Sequence, residues 1–150
     1  MKNLSVSTSK KIKVEKRLIH SLIAKLSKEL GVKLDSLSVN FVDADQLLAI
    51  NKEYLQHNYH TDIITFNYSG SNDYLEGEIF ISINEAIVNS LKYNVHLDNE
   101  IVRLVIHGIL HLVGYDDKNS SEKRKMKKEE NKLIELFEKE FKNLLIEYDY

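Results

Sequence analysis

Two imidazoles and a carboxylate interrupt an otherwise apolar stretch late in the chain: His107 and His111 lie four residues apart, and Asp117 follows beyond Gly114. On a helix, that spacing stacks side chains one turn apart on the same face, so both rings can reach a single divalent cation. Gly114 can close the helix in a left-handed turn, after which the chain folds back and brings Asp117 toward the rings. Three protein ligands with a fourth position left to water is the arrangement of catalytic zinc, and sets of two histidines and a carboxylate occur in zinc hydrolases. The same ligands suit Fe(II), Mn²⁺ or Ni²⁺. The plainer alternative is a hydrogen-bonded pair of core histidines followed by a surface Asp-Asp turn.

The element that must carry the pair runs from Ile101 to Val113 and is apolar almost all round, as in a helix buried in the middle of a protein. Arg103, His107 and His111 break it at intervals of four and share a face with Glu100, so their buried polar groups need partners. Around this helix the pattern predicts a first strand at Leu4 and Val6, then a helix from Val14 to Leu30 closed by Gly31. Leu37, Val39 and Phe41 alternate as a second strand, and Asp43 or Asp45 can cap a helix carrying Leu47, Leu48, Asn51, Tyr54 and Leu55. Ile63 to Phe66 reads as a third strand and Ile79 to Ile81 as a fourth, with the SGSND loop between them. Ser82 with Glu85 forms a capping box for a helix to about Tyr93, and Asp98 caps the metal helix. A last helix runs from Ser120 or Ser121 towards Ile146, its apolar stripe including Met126, Leu133, Phe137, Phe141 and Leu144. The expected architecture is α+β: one domain over residues 1–150, a central sheet of about four strands and about five helices.

Composition narrows the chemistry. A chain of 150 residues suits one domain, and 43% hydrophobic with 29% charged residues is ordinary for a globular protein. Absence of cysteine excludes disulfides, thiolate nucleophiles and cysteine-ligated metals, so a metal must rest on His, Asp or Glu. No stretch approaches the roughly 18 apolar residues of a membrane span, and the N-terminus lacks an apolar signal core; a cytoplasmic location with no membrane partner is expected. A net charge of −2 gives no overall attraction for a polyanion, which leaves binding to local basic patches or a metal.

The order His107, His111, Gly114, Asp117 has metzincin peptidase spacing, but Gly108 stands where those enzymes place their glutamate base. A metallopeptidase is therefore a weak third reading. The stretch HGILHLVGYDD at 107–117 instead resembles the HGxLHLxGYDH signature of the YbeY family of metal-dependent endoribonucleases. The likeness extends through Asn51 and Tyr54, Thr61-Asp62-Ile63-Ile64-Thr65-Phe66, Gly77-Glu78-Ile79-Phe80-Ile81-Ser82, and Met126 with Glu129. It implies a zincin-like metal helix, one divalent ion, expected to be Zn²⁺, and single-strand cleavage in ribosomal RNA maturation, including the small-subunit 3′ end, and in ribosome quality control. Its partners would be ribosomal RNA and the ribosome. A ribosome-associated assembly factor with a structural metal is the competing reading.

Two departures from that signature bear on the chemistry. The family's third metal-binding histidine is Asp117 here, which lowers the local charge by one and makes a bound ion a weaker Lewis acid. The family arginine after Tyr54 is Leu55, which removes a candidate for stabilising a phosphoryl transition state. His57, His60 and Arg103 are the candidates to replace it, each with a plainer alternative: a surface histidine, or for Arg103 an ion pair with Glu100. Asp62 can orient a ligand histidine or cap the turn into the third strand. The basic residues Lys118, Lys123, Arg124, Lys125, Lys127 and Lys128 can steer phosphate beside the site or form a solvated helix face, as can Lys10, Lys11, Lys13, Lys16 and Arg17 near the start.

Overall fold

A computed structural model describes residues 3–149; of the expected 1–150 domain, residues 1, 2 and 150 lie outside the described residues. The architecture is α+β. Its elements are β1 (Leu4–Thr8), β2 (Ile12–Val14), α1 (Lys16–Leu30), β3 (Lys33–Val42), α2 (Ala44–Leu55), β4 (Ile63–Asn67), β5 (Tyr74–Ser82), α3 (Ile83–Lys92), α4 (Leu97–Leu112), α5 (Ser120–Phe137) and β6 (Leu145–Tyr148). The main sheet has the order β1-β3-β5-β4, with β1, β3 and β5 parallel and β4 antiparallel at one edge. Strands β2 and β6 form a separate antiparallel pair.

Alternation along the strands divides the sheet into two faces. Val39, Phe41, Ile79 and Ile81 join the main core with α1 and α4, whereas Val42, Ile64, Phe66 and Phe80 pack with Leu47 of α2 in a smaller cluster. Helix α4 lies close on the main core face. A Cβ on Gly108 would come within 2.9 Å of Ile79 Cδ1 and 3.2 Å of Ile63 Cδ1, and one on Gly77 would overlap the Phe66 carbonyl oxygen of β4 and come within 3.0 Å of Leu112 Cδ2 on α4. These two glycines let helix and sheet approach, so a glutamate at position 108 has no room.

Local signals set most boundaries. Asp43 accepts from the Gln46 backbone amide and its own backbone N–H donates to Gln46 Oε1, a reciprocal cap for α2. Ser82 accepts from the Glu85 amide at the start of α3. Gly31 ends α1 with a φ of +66°.

Three sequence-based boundaries need correction. Val14 belongs to β2, and α1 begins at Lys16. The cap of α4 is His96, not Asp98; Asp98 sits inside the first turn, buried, and accepts from the amides of Asn143 (2.9 Å) and Leu144 (3.0 Å). The last helix stops at Phe137 rather than continuing to Ile146. Phe141 and Leu144 are buried, but in a segment that turns through Asn143 at a φ of +56° before β6 pairs with β2. Their spacing continues the helical stripe of α5 by coincidence of burial, while the Asp98 carboxylate holds the backbone in a non-helical path.

The Asp98 carboxylate is thus a buried staple between α4 and the C-terminal segment. Asp98→Ala orphans the buried Leu144 amide and the part-buried Asn143 amide and is expected to cost about 2–4 kcal/mol in urea unfolding. A loss below about 0.5 kcal/mol, the range of ordinary surface substitutions, would contradict that role.

Candidate metal centre and flanking clefts

Helix α4 presents Arg103, His107 and His111 on one partly exposed stripe, and the remainder of its length from Ile101 to Leu112 is buried. The two Nε2 atoms of His107 and His111 face each other at 3.2 Å, with the rings nearly perpendicular. Gly114 adopts a φ of +104° after the helix, the turn needed to bring the chain back. A side chain there would also collide with Asn72. Asp117 Oδ2 then lies 3.9 Å from His111 Nε2, and one ligand atom from each of His107, His111 and Asp117 falls within a 4.8 Å cluster.

The donor set fits a divalent cation. The Nδ1–H of His107 donates to Glu130 Oε2 at 2.7 Å, which leaves its Nε2 as the lone-pair nitrogen facing His111. Two facing ring nitrogens need a cation or a single proton between them. Burial lowers the pKa of His111, and the neighbouring His107 lowers it further, against opposing pulls led by Asp117. The neutral, ligating form is favoured. Glu130 is almost fully enclosed at 2% exposure. Burial pushes its carboxyl up, but the His107 hydrogen bond and the nearby His107, Lys127 and Arg103 charges outweigh this and hold it below the usual range.

A wider network braces Glu130. Arg103 donates from Nε and Nη2 to the two Glu100 oxygens at 2.8 and 2.7 Å, and from Nη1 to Glu130 at 3.3 Å. Its Nη2 also lies 3.6 Å from Asp62 Oδ2, and the Glu100 hydrogen bonds raise its pKa further above its already high value. Asn89 of α3 donates to both Asp62 (3.1 Å) and Glu100 (3.0 Å). Asp62 thus contacts Arg103 and Asn89, and bears on His107 only through Arg103 and Glu130.

Sequence reading overlooked Glu130 and offered Glu129 as the residue of interest in that turn. Glu129 is only partly buried. The missed signal was positional: 126, 130, 133 and 137 are the buried positions of α5, so Glu130 occupies an apolar-stripe position.

Two clefts meet at the centre. One, of about 460 Å³, lies along edge strand β4 and is lined by Asn51, Leu55, His57, Tyr59, Thr65 and Asn67 among others, together with His107, His111 and Asp117. The other, of about 440 Å³, lies along α5 and is lined by Arg103, Lys123, Arg124, Met126, Lys127 and Glu130, again with His107 and Asp117. His57 is therefore brought to the centre's rim; His60 is exposed on the same loop and does not line the cleft.

Residues 3–138 match the family model described as Endoribonuclease YbeY. The chain is 37% identical over 121 residues to Endoribonuclease YbeY of Bacteroides thetaiotaomicron, covering 81% of this chain and 88% of that protein. It is 41% identical over 108 residues to the protein of the same name from Karelsulcia muelleri, covering 72% and 76% respectively. The solution structure of TM1509 from Thermotoga maritima superposes with a TM-score of 0.64 at 27% identity, covering 88% of this chain and 87% of that one. With the family model spanning residues 3–138 and relatives 37–41% identical over most of the chain, the chain belongs to the endoribonuclease YbeY family.

Proposed function

We propose that this protein is a metal-dependent endoribonuclease that cleaves single-stranded segments of ribosomal RNA during its maturation, including the small-subunit 3′ end, and in ribosome quality control. The observation that carries the reading is the convergence of His107, His111 and Asp117 donor atoms beside an open cleft, in a chain of the endoribonuclease YbeY family. Zinc is the cation we assign. His107, His111 and Asp117 would hold the cation, which would supply an acidified water and polarise a phosphoryl oxygen. Ribosomal RNA as substrate fits work in the cytoplasm with the ribosome as partner. No helix among the described residues is long and apolar enough to cross a membrane.

Each residue's task follows from its contacts. His107 and His111 offer facing Nε2 atoms, and Asp117, 48% exposed on its side chain, supplies a carboxylate from the loop. Glu130 fixes the His107 tautomer. Arg103 is held by carboxylates on several sides, so the reading we favour makes it a positioning residue that acts through Glu130 rather than a cation for the phosphate. His57 lines the cleft, within reach of a bound strand, while His60 is offered no contact with the centre.

His111→Ala and chelation should each abolish cleavage of a single-stranded RNA oligomer while the circular dichroism spectrum stays native. Undiminished cleavage would refute the assignment, and unfolding on chelation would favour a structural metal. Asp117→Ala should lower the bound cation below one equivalent by elemental analysis after dialysis, whereas full retention would remove Asp117 from the ligand set. Glu130→Gln keeps the shape but loses the charge behind His107, and should weaken cation affinity about 10-fold or more in a competition titration, the scale seen for such supporting carboxylates. Unchanged affinity would remove Glu130 from the design.

A further inference from the structure

The two clefts that meet at the metal centre differ in chemistry. Among its described lining residues the β4 cleft has no lysine or arginine, and its outer wall is a pair of rings, His57 and Tyr59. These rings stack at 5.1 Å between centroids with planes 19° apart, and the Tyr59 hydroxyl lies 2.9 Å from His57 Nδ1. Tyr59 remains 57% exposed.

The wall is built into the fold. Asn51 is 1% exposed, and its side-chain amide donates to the Tyr59 carbonyl at 2.8 Å. Its own carbonyl accepts from the amides of Gln56 and His57 as α2 ends, where Gln56 turns through a φ of +56°. A buried asparagine therefore fixes the backbone on both sides of the ring pair. The α5 cleft is the opposite case: Arg103 and Lys127 are paired with Glu130 there, but Lys123 and Arg124 also line it, in a chain whose net charge is −2.

From this asymmetry we propose that the RNA strand crosses the metal centre from a stacking wall to a phosphate wall. On the β4 side one base stacks against the Tyr59–His57 pair. On the α5 side the phosphate of a neighbouring nucleotide pairs with Lys123 and Arg124, Lys127 being paired with Glu130 at 3.5 Å. The strand bridges the two clefts at His107 and Asp117, which both share. This rests on the endoribonuclease reading and adds to it how a nearly neutral chain with Leu55 beside the site grips its substrate. Stacking requires a base freed from a duplex, so the wall also selects single-stranded RNA.

The two walls separate experimentally because stacking carries no counterion release and phosphate contacts do. Binding is measured by fluorescence anisotropy in chelator at several salt concentrations, with a short single-stranded oligoribonucleotide and a matched strand of abasic residues. The wild type should prefer the base-bearing strand. Tyr59→Ala should erase most of that preference, about 5-fold to 100-fold by the strength of base–aromatic stacking, without changing the salt slope. Tyr59→Phe, which keeps the ring, should restore it. Lys123→Ala with Arg124→Ala should flatten the log–log salt slope by about 1.4, two contacts at roughly 0.7 each, and keep the base preference. The proposal is overturned if Tyr59→Ala weakens both strands equally or neither, or if the double variant leaves the slope unchanged. Cleavage is followed separately on the metal-loaded protein: binding as described without cleavage defeats the nuclease reading alone, and cleavage without the base effect defeats this proposal alone.

Discussion

An imidazole has two nitrogens, and a metal site on a helix works only if the outward-facing one carries the lone pair. Here that choice is made by the hydrogen bond from His107 Nδ1 to Glu130, a carboxylate buried between α4 and α5. A buried carboxylate without partners would take up a proton. The His107 hydrogen bond, with Lys127 and Arg103 nearby, prevents this, and Arg103 is itself anchored by Glu100. Much of the polar machinery inside the protein therefore serves one tautomer. The same demand explains why Arg103, well placed by sequence to meet a phosphate, is engaged elsewhere.

The second constraint is distance. Helix α4 must lie close on the sheet so that its histidine stripe opens along the edge strand, and Gly108 and Gly77 provide that approach. A peptidase-type glutamate at position 108 would face Ile79 and Ile63 in the core, away from any substrate. The glycine that removes peptidase chemistry from the motif is thus required by packing. Because β4 is the last strand of its sheet, the cleft beside it stays open to a long polymer, with α5 forming the far bank.

The parts of this arrangement governed by local rules were legible in the sequence. The four strands of the main sheet, the caps at Asp43 and Ser82, the buried helix α4 and the turn at Gly114 all follow from periodicity, capping and backbone freedom. The histidine pair and Asp117 follow from spacing. What escaped depends on contacts between distant segments. Strands β2 and β6 are short and find each other from opposite ends of the chain. Asp98 has the residue type of a cap but is bonded to amides 45 and 46 positions away. Glu130 is a charged residue at an apolar position, a mismatch that signals a buried partner without naming it. Asn51 looked like one polar residue of a helix, and only the folded chain reveals it as the pin of the loop that carries Tyr59.

X-ray absorption at the metal edge of the zinc-loaded protein tests most directly whether these residues meet on one ion. The expected signature is multiple scattering from two imidazoles and a carboxylate oxygen at about 2.0–2.2 Å, with the light-atom remainder supplied by solvent. A spectrum with a single imidazole, or with oxygen ligands only, would contradict the metal centre and the mechanism built on it.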